Sequence, residues 1–231
     1  MSNKHDSDPE SSQDEQPQPQ QGFIQKRKRE ICIGITTKLS IIIIIIIICF
    51  GHPTKPKFIL QDATFFTFNL STTASATSPP STLLSSTLQI TIASTNPNTK
   101  SGINYHDLGI YIEYKNQQIT YQTSIPIVYQ GHKETKVWSL LINGTNILIS
   151  PDNAHFLTWD QSNRSITLII KLDGHVNWKI GGVTTRKYHI HVSCNAILDL
   201  TGATTGDTNT DGFFVFGPVK YMFYRPCYVL V

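Results

Sequence analysis

A chain of 231 residues with 15% charged side chains and a net charge of +3 suits one domain plus appendages. So weak a basic excess, scattered through the second half of the chain, gives no reason to expect a nucleic-acid partner. Ser, Thr and Asn carry the polar burden instead, as on many secreted or glycosylated surfaces. Residues 1–25 hold Asp, Glu, Gln, Pro and Ser with almost nothing apolar, so they cannot build a core. "QPQPQQ" lacks PxxP spacing and reads as solvated tail.

A basic cluster, Lys26 to Arg29, then meets "ICIGITTKLSIIIIIIIICF", residues 31–50, with eight consecutive isoleucines at Ile41–Ile48. Crossing the hydrocarbon takes roughly 20 residues, and Leu39–Phe50 alone is too short. Adding residues 31–38 reaches that length. Thr36 and Thr37 are tolerable in lipid because their hydroxyls bond back to helix carbonyls. Lys38 costs about 2.5 to 3.5 kcal/mol, partly relieved by its long stem. The isoleucines, at roughly 0.3 to 0.6 kcal/mol each, more than offset it. Residues 31–50 are therefore expected to form one transmembrane helix after a disordered tail with a basic cluster, residues 1–30.

The positive-inside rule places that tail in the cytosol and residues 51–231 outside, a single-pass type II arrangement at the plasma membrane. A cleaved signal peptide fits less well: its charged region is too long, and "CFGHP" lacks small-residue cleavage spacing. "KRKR" also reads as a nuclear localisation signal, but it lies where membrane orientation requires basic residues. Cys32 and Cys49 fall near the ends of the span. Cys32 is a candidate palmitoylation site, with small apolar filler the favoured reading of both. Cys194 and Cys227 lie in the external part, where an even pair usually means a disulfide.

"GHPTKPK", residues 51–57, reads as a proline-stiffened stalk. From residue 58 to 231 the dominant period is two. "ATFFTFNL" sets Phe66, Phe68 and Leu70 on one face, "TLQITIA" sets Leu88, Ile90 and Ile92, and "SITLIIKL" sets Ile166, Leu168, Ile170 and Leu172. "KYHIHVSC" turns Tyr188, Ile190 and Val192 inward and His189 and His191 outward. "GIYIEY", "QITYQT", "TKVWSLLI" and "VKYMFYRPCYVLV" supply further strands. Short alternating runs between turn signals predict a mainly β domain, an antiparallel β-sandwich. One helix is expected at "SPDNAHFLTW", with Ser150 as N-cap, Pro151 at the first helical position and Asp152 near the positive end. Residues 71–86 and 201–212, rich in small polar residues, read as mobile loops.

Three glycosylation sequons begin at Asn69, Asn143 and Asn163, and Asn143-Gly144 suggests an exposed turn. Catalytic signatures are missing: the sequence has no GxSxG, Walker loop, HExxH or paired CxxC. His189-x-His191 places two imidazoles on one strand face, but spacing offers no third ligand, so no metal site is expected. No cofactor is expected either. Trp138, Trp159 and Trp178 suit a sugar-stacking platform, although core packing is the more usual use of such area.

Four blocks in order carry a resemblance: Asn96-Pro97-Asn98, Gly109-Ile110-Tyr111, Tyr129-Gln130-Gly131, and Lys187–Val192 with Cys194. Together they resemble the membrane-anchored plant branch of the group 2 late embryogenesis abundant (LEA) proteins, the harpin-induced-like or non-race-specific-disease-resistance-like proteins. The resemblance covers roughly residues 20–231. It implies an LEA group 2, fibronectin-III-like sandwich of about seven strands and a type II membrane protein of pathogen and stress responses without known catalysis. It also implies a last strand that brings Cys227 toward Cys194. Proline in the Asn-Pro-Asn block ends a strand, and Asn98 suits a turn. Two long Ser/Thr loops depart from the family pattern. The reading is a non-enzymatic protein with unidentified protein partners. The alternative is a cell-wall carbohydrate- or lipid-binding module.

Overall fold

The computed structural model describes residues 20–50, 53–75, 78–200, 213–214, 219–220 and 225–231. The chain divides into two compact units between His52 and Pro53. The first contains α1 (Gln20–Phe50), a helix of 31 residues. It begins ten residues before the expected end of the tail at residue 30, so the basic cluster is helical. Gln, Lys, Arg and Glu lose little side-chain freedom in a helix, and extending a nucleated helix is far easier than starting one. Residues 1–19 lie outside the described residues.

Thr36 donates to the carbonyls of Cys32 and Ile33, and Thr37 to those of Ile33 and Gly34, at 2.9–3.1 Å. Ile31, Ile33, Ile35, Leu39 and Ile41–Ile44 are all exposed. Successive helical residues point about 100° apart, so that apolar surface runs around the helix rather than along one face. Among the described residues no helix is long and apolar enough to cross a membrane. The expected span ends in Ile45–Phe50, whose side chains lie outside the described residues.

The second unit, Pro53–Val231, is β-rich. Its long strands are β1 (Lys57–Ser75), β2 (Ser78–Thr95) and β3 (Ser101–Tyr114). Short segments follow, β4 (Gln117–Gln118), β5 (Thr123–Ser124) and β6 (Val128–Gln130), then the long β7 (Thr135–Ile149). After α2 (Pro151–Ser162) come β8 (Ser165–Ile180), β9 (Val183–Thr184) and β10 (Tyr188–Asp199). The chain ends in β11 (Phe213–Phe214), β12 (Val219–Lys220), β13 (Arg225–Pro226) and β14 (Tyr228–Leu230). One antiparallel sheet runs β11-β1-β2-β7, with β12 and β13 also on β1. The other runs β14-β10-β8-β3-β4, with β5 and β6 on β3 and β9 on β8.

The alternating apolar residues of both sheets share one core. Leu60, Leu88, Ile90 and Ile92 of the first sheet and Ile103, Ile110, Ile170 and Ile190 of the second have no exposed surface. Helix α2 starts as expected: Ser150 Oγ accepts from Asn153 N–H at 3.3 Å, Pro151 opens the helix, and Leu157 is buried.

Four expectations about local structure are corrected. Phe66 is exposed and Phe65 buried, because a bulge between Phe65 and Thr67 inserts one residue and inverts the alternation. Residues 71–86 are largely strand: Thr72 pairs with Thr82 and Thr73 with Ser81, and the Thr73 and Ser81 hydroxyls meet at 2.6 Å. Hydroxyl-bearing pairs of this kind stabilise a ribbon that apolar counting overlooks. Residues 201–212 lie outside the described residues. "QITYQT" is not one strand, since Ile119 N–H donates to Ile112 in one sheet and Tyr121 N–H to Asn143 in the other. The described part of the stalk, residues 53–57, is part of the second unit. Thr54 is held by Asn98, Pro56 is buried, Lys55 Nζ donates to the Val229 carbonyl, and Lys57 opens β1.

Candidate functional site

Two of the four motif blocks, Asn96–Asn98 and Tyr129–Gly131, lie apart in sequence and meet in a buried amide network. Asn96, fully buried at the end of β2, donates through Nδ2 to the carbonyls of Ser101 and Gly131. Its Oδ1 accepts from the backbone and side-chain amides of Asn98, an Asx-turn around Pro97. Asn98 in turn grips both backbone groups of Thr54, at 2.7 Å each. Asn98 thus serves the turn through both its backbone and its side chain.

Gln130 has no exposed surface. Its Nε2 donates to the carbonyls of Ser94 and Glu134, and its Oε1 accepts from the Tyr105 hydroxyl. Because that phenolic proton is committed to Gln130, Ser94 Oγ must donate to Tyr105 at 2.8 Å. Burial pushes the Tyr105 hydroxyl well above the usual phenol range, so it stays a donor. Tyr129 lies over Gly102, where a Cβ would come within 2.3 Å of its hydroxyl. Near Gly131, Lys136 and the Gly131 N–H hold the Glu134 carboxyl below the usual range. These residues organise loops; none offers a reactive group to solvent in a cleft.

Cys194 of β10 and Cys227 form a disulfide. The bridge sits where the chain leaves β13, on the first sheet, and enters β14, on the second. Cys227 N–H still bonds to Phe58 of β1. Cys32 is a free, exposed thiol. Asn143 and Asn163 are exposed, whereas Asn69 is half-buried in β1 with its side-chain oxygen enclosed. Asn143-Gly144 is not a turn: both residues lie within β7, opposite Thr87 and Ser86. Gly144 is needed for close approach, since a Cβ there would come 2.4 Å from the Ile119 carbonyl oxygen.

The outward face of the second sheet gathers chemistry that spacing did not reveal. Register sets His106 opposite His175 and His175 opposite His189, and it sets His191 opposite Asp173. Asp173 Oδ1 lies 2.8 Å from His189 Nε2 and 3.1 Å from His191 Nδ1. The His189 ring centroid is 4.1 Å from that of His191 and 4.9 Å from that of His175. Asp173 is the third group that spacing lacked. A turn centred on Gly181-Gly182 pairs Lys179 with Thr184, and continuing that register would set His189 opposite Gly174. One extra residue between β9 and β10 moves it to His175, and no local signal gives that shift.

A bulge in β3 between His106 and Gly109 shapes this face, with Asp107 at φ 51°. Its backbone lies against Gly174, where a Cβ would come 2.7 Å from Leu108 Cα and 2.8 Å from the Asp107 oxygen. Gly174→Ala is therefore expected to destabilise by about 2 to 3 kcal/mol through overpacking. Gly182→Ala, with nothing within 4 Å of its Cβ, is the neutral control. Equal melting temperatures for the two variants would contradict the close approach.

The three tryptophans do not form a platform. Trp178 is buried in the core and Trp138, partly buried, packs against that core and stacks on Phe58 at 6.4 Å, while Trp159 on α2 is 63% exposed. Trp159 borders a shallow cleft with Tyr114, Lys115, Asp160 and Asn163. Tyr114 donates to Asp160 at 2.7 Å; burial, then that carboxylate, raise its hydroxyl above the usual phenol range.

Known proteins share much of this chain. The late embryogenesis abundant family model LEA_2 matches residues 91–195. NDR1/HIN1-like protein 1 of Arabidopsis thaliana is 42% identical over 88% of this chain and 93% of its own length. NDR1/HIN1-like protein 12 of the same plant is 46% identical over 78% of this chain and 80% of its own, and NDR1/HIN1-like protein 26 is 32% identical over 76% and 80%. Among solved structures, a protein from Archaeoglobus fulgidus aligns at a TM-score of 0.30 with 6% identity, over 58% of this chain and 96% of its own. That likeness is too slight to carry any argument.

Proposed function

The chain belongs to the NDR1/HIN1-like family, and on that footing we propose a non-enzymatic, membrane-anchored protein of plant defence and abiotic stress responses, acting through its β-sandwich outside the cell. The likeness to NDR1/HIN1-like proteins 1 and 12, over most of each chain, carries this reading. Three features of the chain support the topology. The basic cluster precedes an apolar run, as a cytosolic flank does. The described isoleucines of α1, Ile31, Ile33, Ile35 and Ile41–Ile44, are exposed around the helix, which suits lipid better than water. A disulfide in the β-unit suits an oxidising compartment. Loops on a sandwich scaffold then offer the surface for protein partners.

The test is fractionation followed by deletion. Alkaline carbonate should leave the protein in the membrane pellet, and protease added outside sealed cells should remove the β-unit alone. Deleting residues 53–231 should abolish activity in a defence assay. Release by carbonate, or full activity from the tail and helix alone, would overturn the proposal. Exposed Trp159 favours the second reading, a cell-wall carbohydrate- or lipid-binding module. Binding on a glycan or lipid array that is lost in Trp159→Ala would establish it.

A further inference from the structure

We propose that Asp173, His189 and His191 form a binding site for a borderline divalent transition metal of the zinc and copper class. Their ligand atoms, one from each residue, all lie within 4.8 Å of one another. Around a tetrahedral zinc with bonds of about 2.0 to 2.1 Å, neighbouring ligand atoms stand roughly 3.3 Å apart. The two approaches to Asp173 Oδ1, 2.8 and 3.1 Å, are already close to that spacing. Both imidazoles are about half exposed, so water can fill the open position of an ion held between them and Asp173.

The carboxylate is unusually placed for a simple ion pair. Asp173 Oδ1 is enclosed, yet no hydrogen-bond donor is aligned on it despite two imidazole nitrogens nearby. His175 Nδ1 and His106 Nε2, in the adjoining row, are likewise enclosed without a hydrogen-bond partner. Three of the five such side-chain atoms among the described residues thus fall on one patch of sheet. Buried polar atoms are nearly always satisfied, so a cluster of such atoms can take up a further partner such as water or a metal ion.

Charge and ligand type narrow the choice of metal. Lys171, the cation two residues from Asp173 on β8, is engaged by Glu113 of β3 at 3.0 Å. It is already neutralised by its partner. On the other flank, β14 sets Leu230 opposite His191. Two imidazoles with one carboxylate suit zinc, copper or nickel, whereas magnesium and calcium prefer oxygen alone. Strand alternation holds both histidines on one face, and the cross-strand pair brings the carboxylate.

The test uses the full chain without a histidine tag, stripped by chelator and held in detergent micelles. Titration with zinc sulfate should show saturable uptake of one ion per chain, with no uptake of magnesium. Asp173→Asn should weaken zinc binding at least tenfold, and His189→Ala with His191→Ala should abolish it. His132→Ala, an exposed histidine between β6 and β7, should bind as the parent does. Zinc should raise the melting temperature of the parent and of His132→Ala only. No stoichiometric uptake of zinc or copper would overturn the proposal. So would undiminished binding in a double histidine variant that melts like the metal-free parent.

Discussion

Gln130→Met is expected to lower stability by about 3 to 5 kcal/mol, although it keeps the side chain's length and nearly its volume. Gln130 offers two N–H groups and one oxygen to three partners: the buried Ser94 carbonyl and Tyr105 hydroxyl and the half-buried Glu134 carbonyl. Methionine fills the space and satisfies none of them. A buried group left without its partner costs roughly 1 to 3 kcal/mol. Glu134 O also accepts from Asn96 N–H, which limits the loss at that end. For a domain of this size the melting temperature should fall by about 2 to 4 °C per kcal/mol. Gln130→Glu should do no better, because a carboxylate has no hydrogens for the two carbonyls. Chemical denaturation showing a loss below about 1 kcal/mol would mean that the network is not holding the β2, β6 and β7 ends together.

Replacing Cys194 and Cys227 together by alanine should cost about 3 to 4 kcal/mol in the chain-entropy account, given their separation of 33 residues. The effect should be uneven. β14 pairs with β10 through only three residues, so the bridge is the main tie on this crossing between sheets. Backbone amides of Tyr228–Leu230 should lose hydrogen-exchange protection in the variant, while those in the middle of β8 keep theirs. Peptide mapping of the unreduced parent should recover the two cysteines linked. Two alkylatable thiols in the native β-unit would refute the bridge.

Much of this architecture is local in origin and was readable in the chain. Period-two runs marked the long strands, because inward and outward side chains alternate residue by residue. Ser150, Pro151 and Asp152 marked the start of α2, because a helix N-terminus needs an acceptor, no extra N–H and a negative charge. The motif blocks and the cysteine pair were visible as residue types, though not the contacts they make. The tertiary structure decided everything that depends on register. The bulge at Phe66 exchanged which phenylalanine is buried, and Asn143-Gly144 ran straight through β7 because a neighbouring backbone occupies the space a side chain would need. Asp173 joined His189 and His191 through one extra residue between β9 and β10. Strand pairing is a long-range choice in which a shift of one residue reverses every face, and the composition of a single strand carries no record of its neighbour's register.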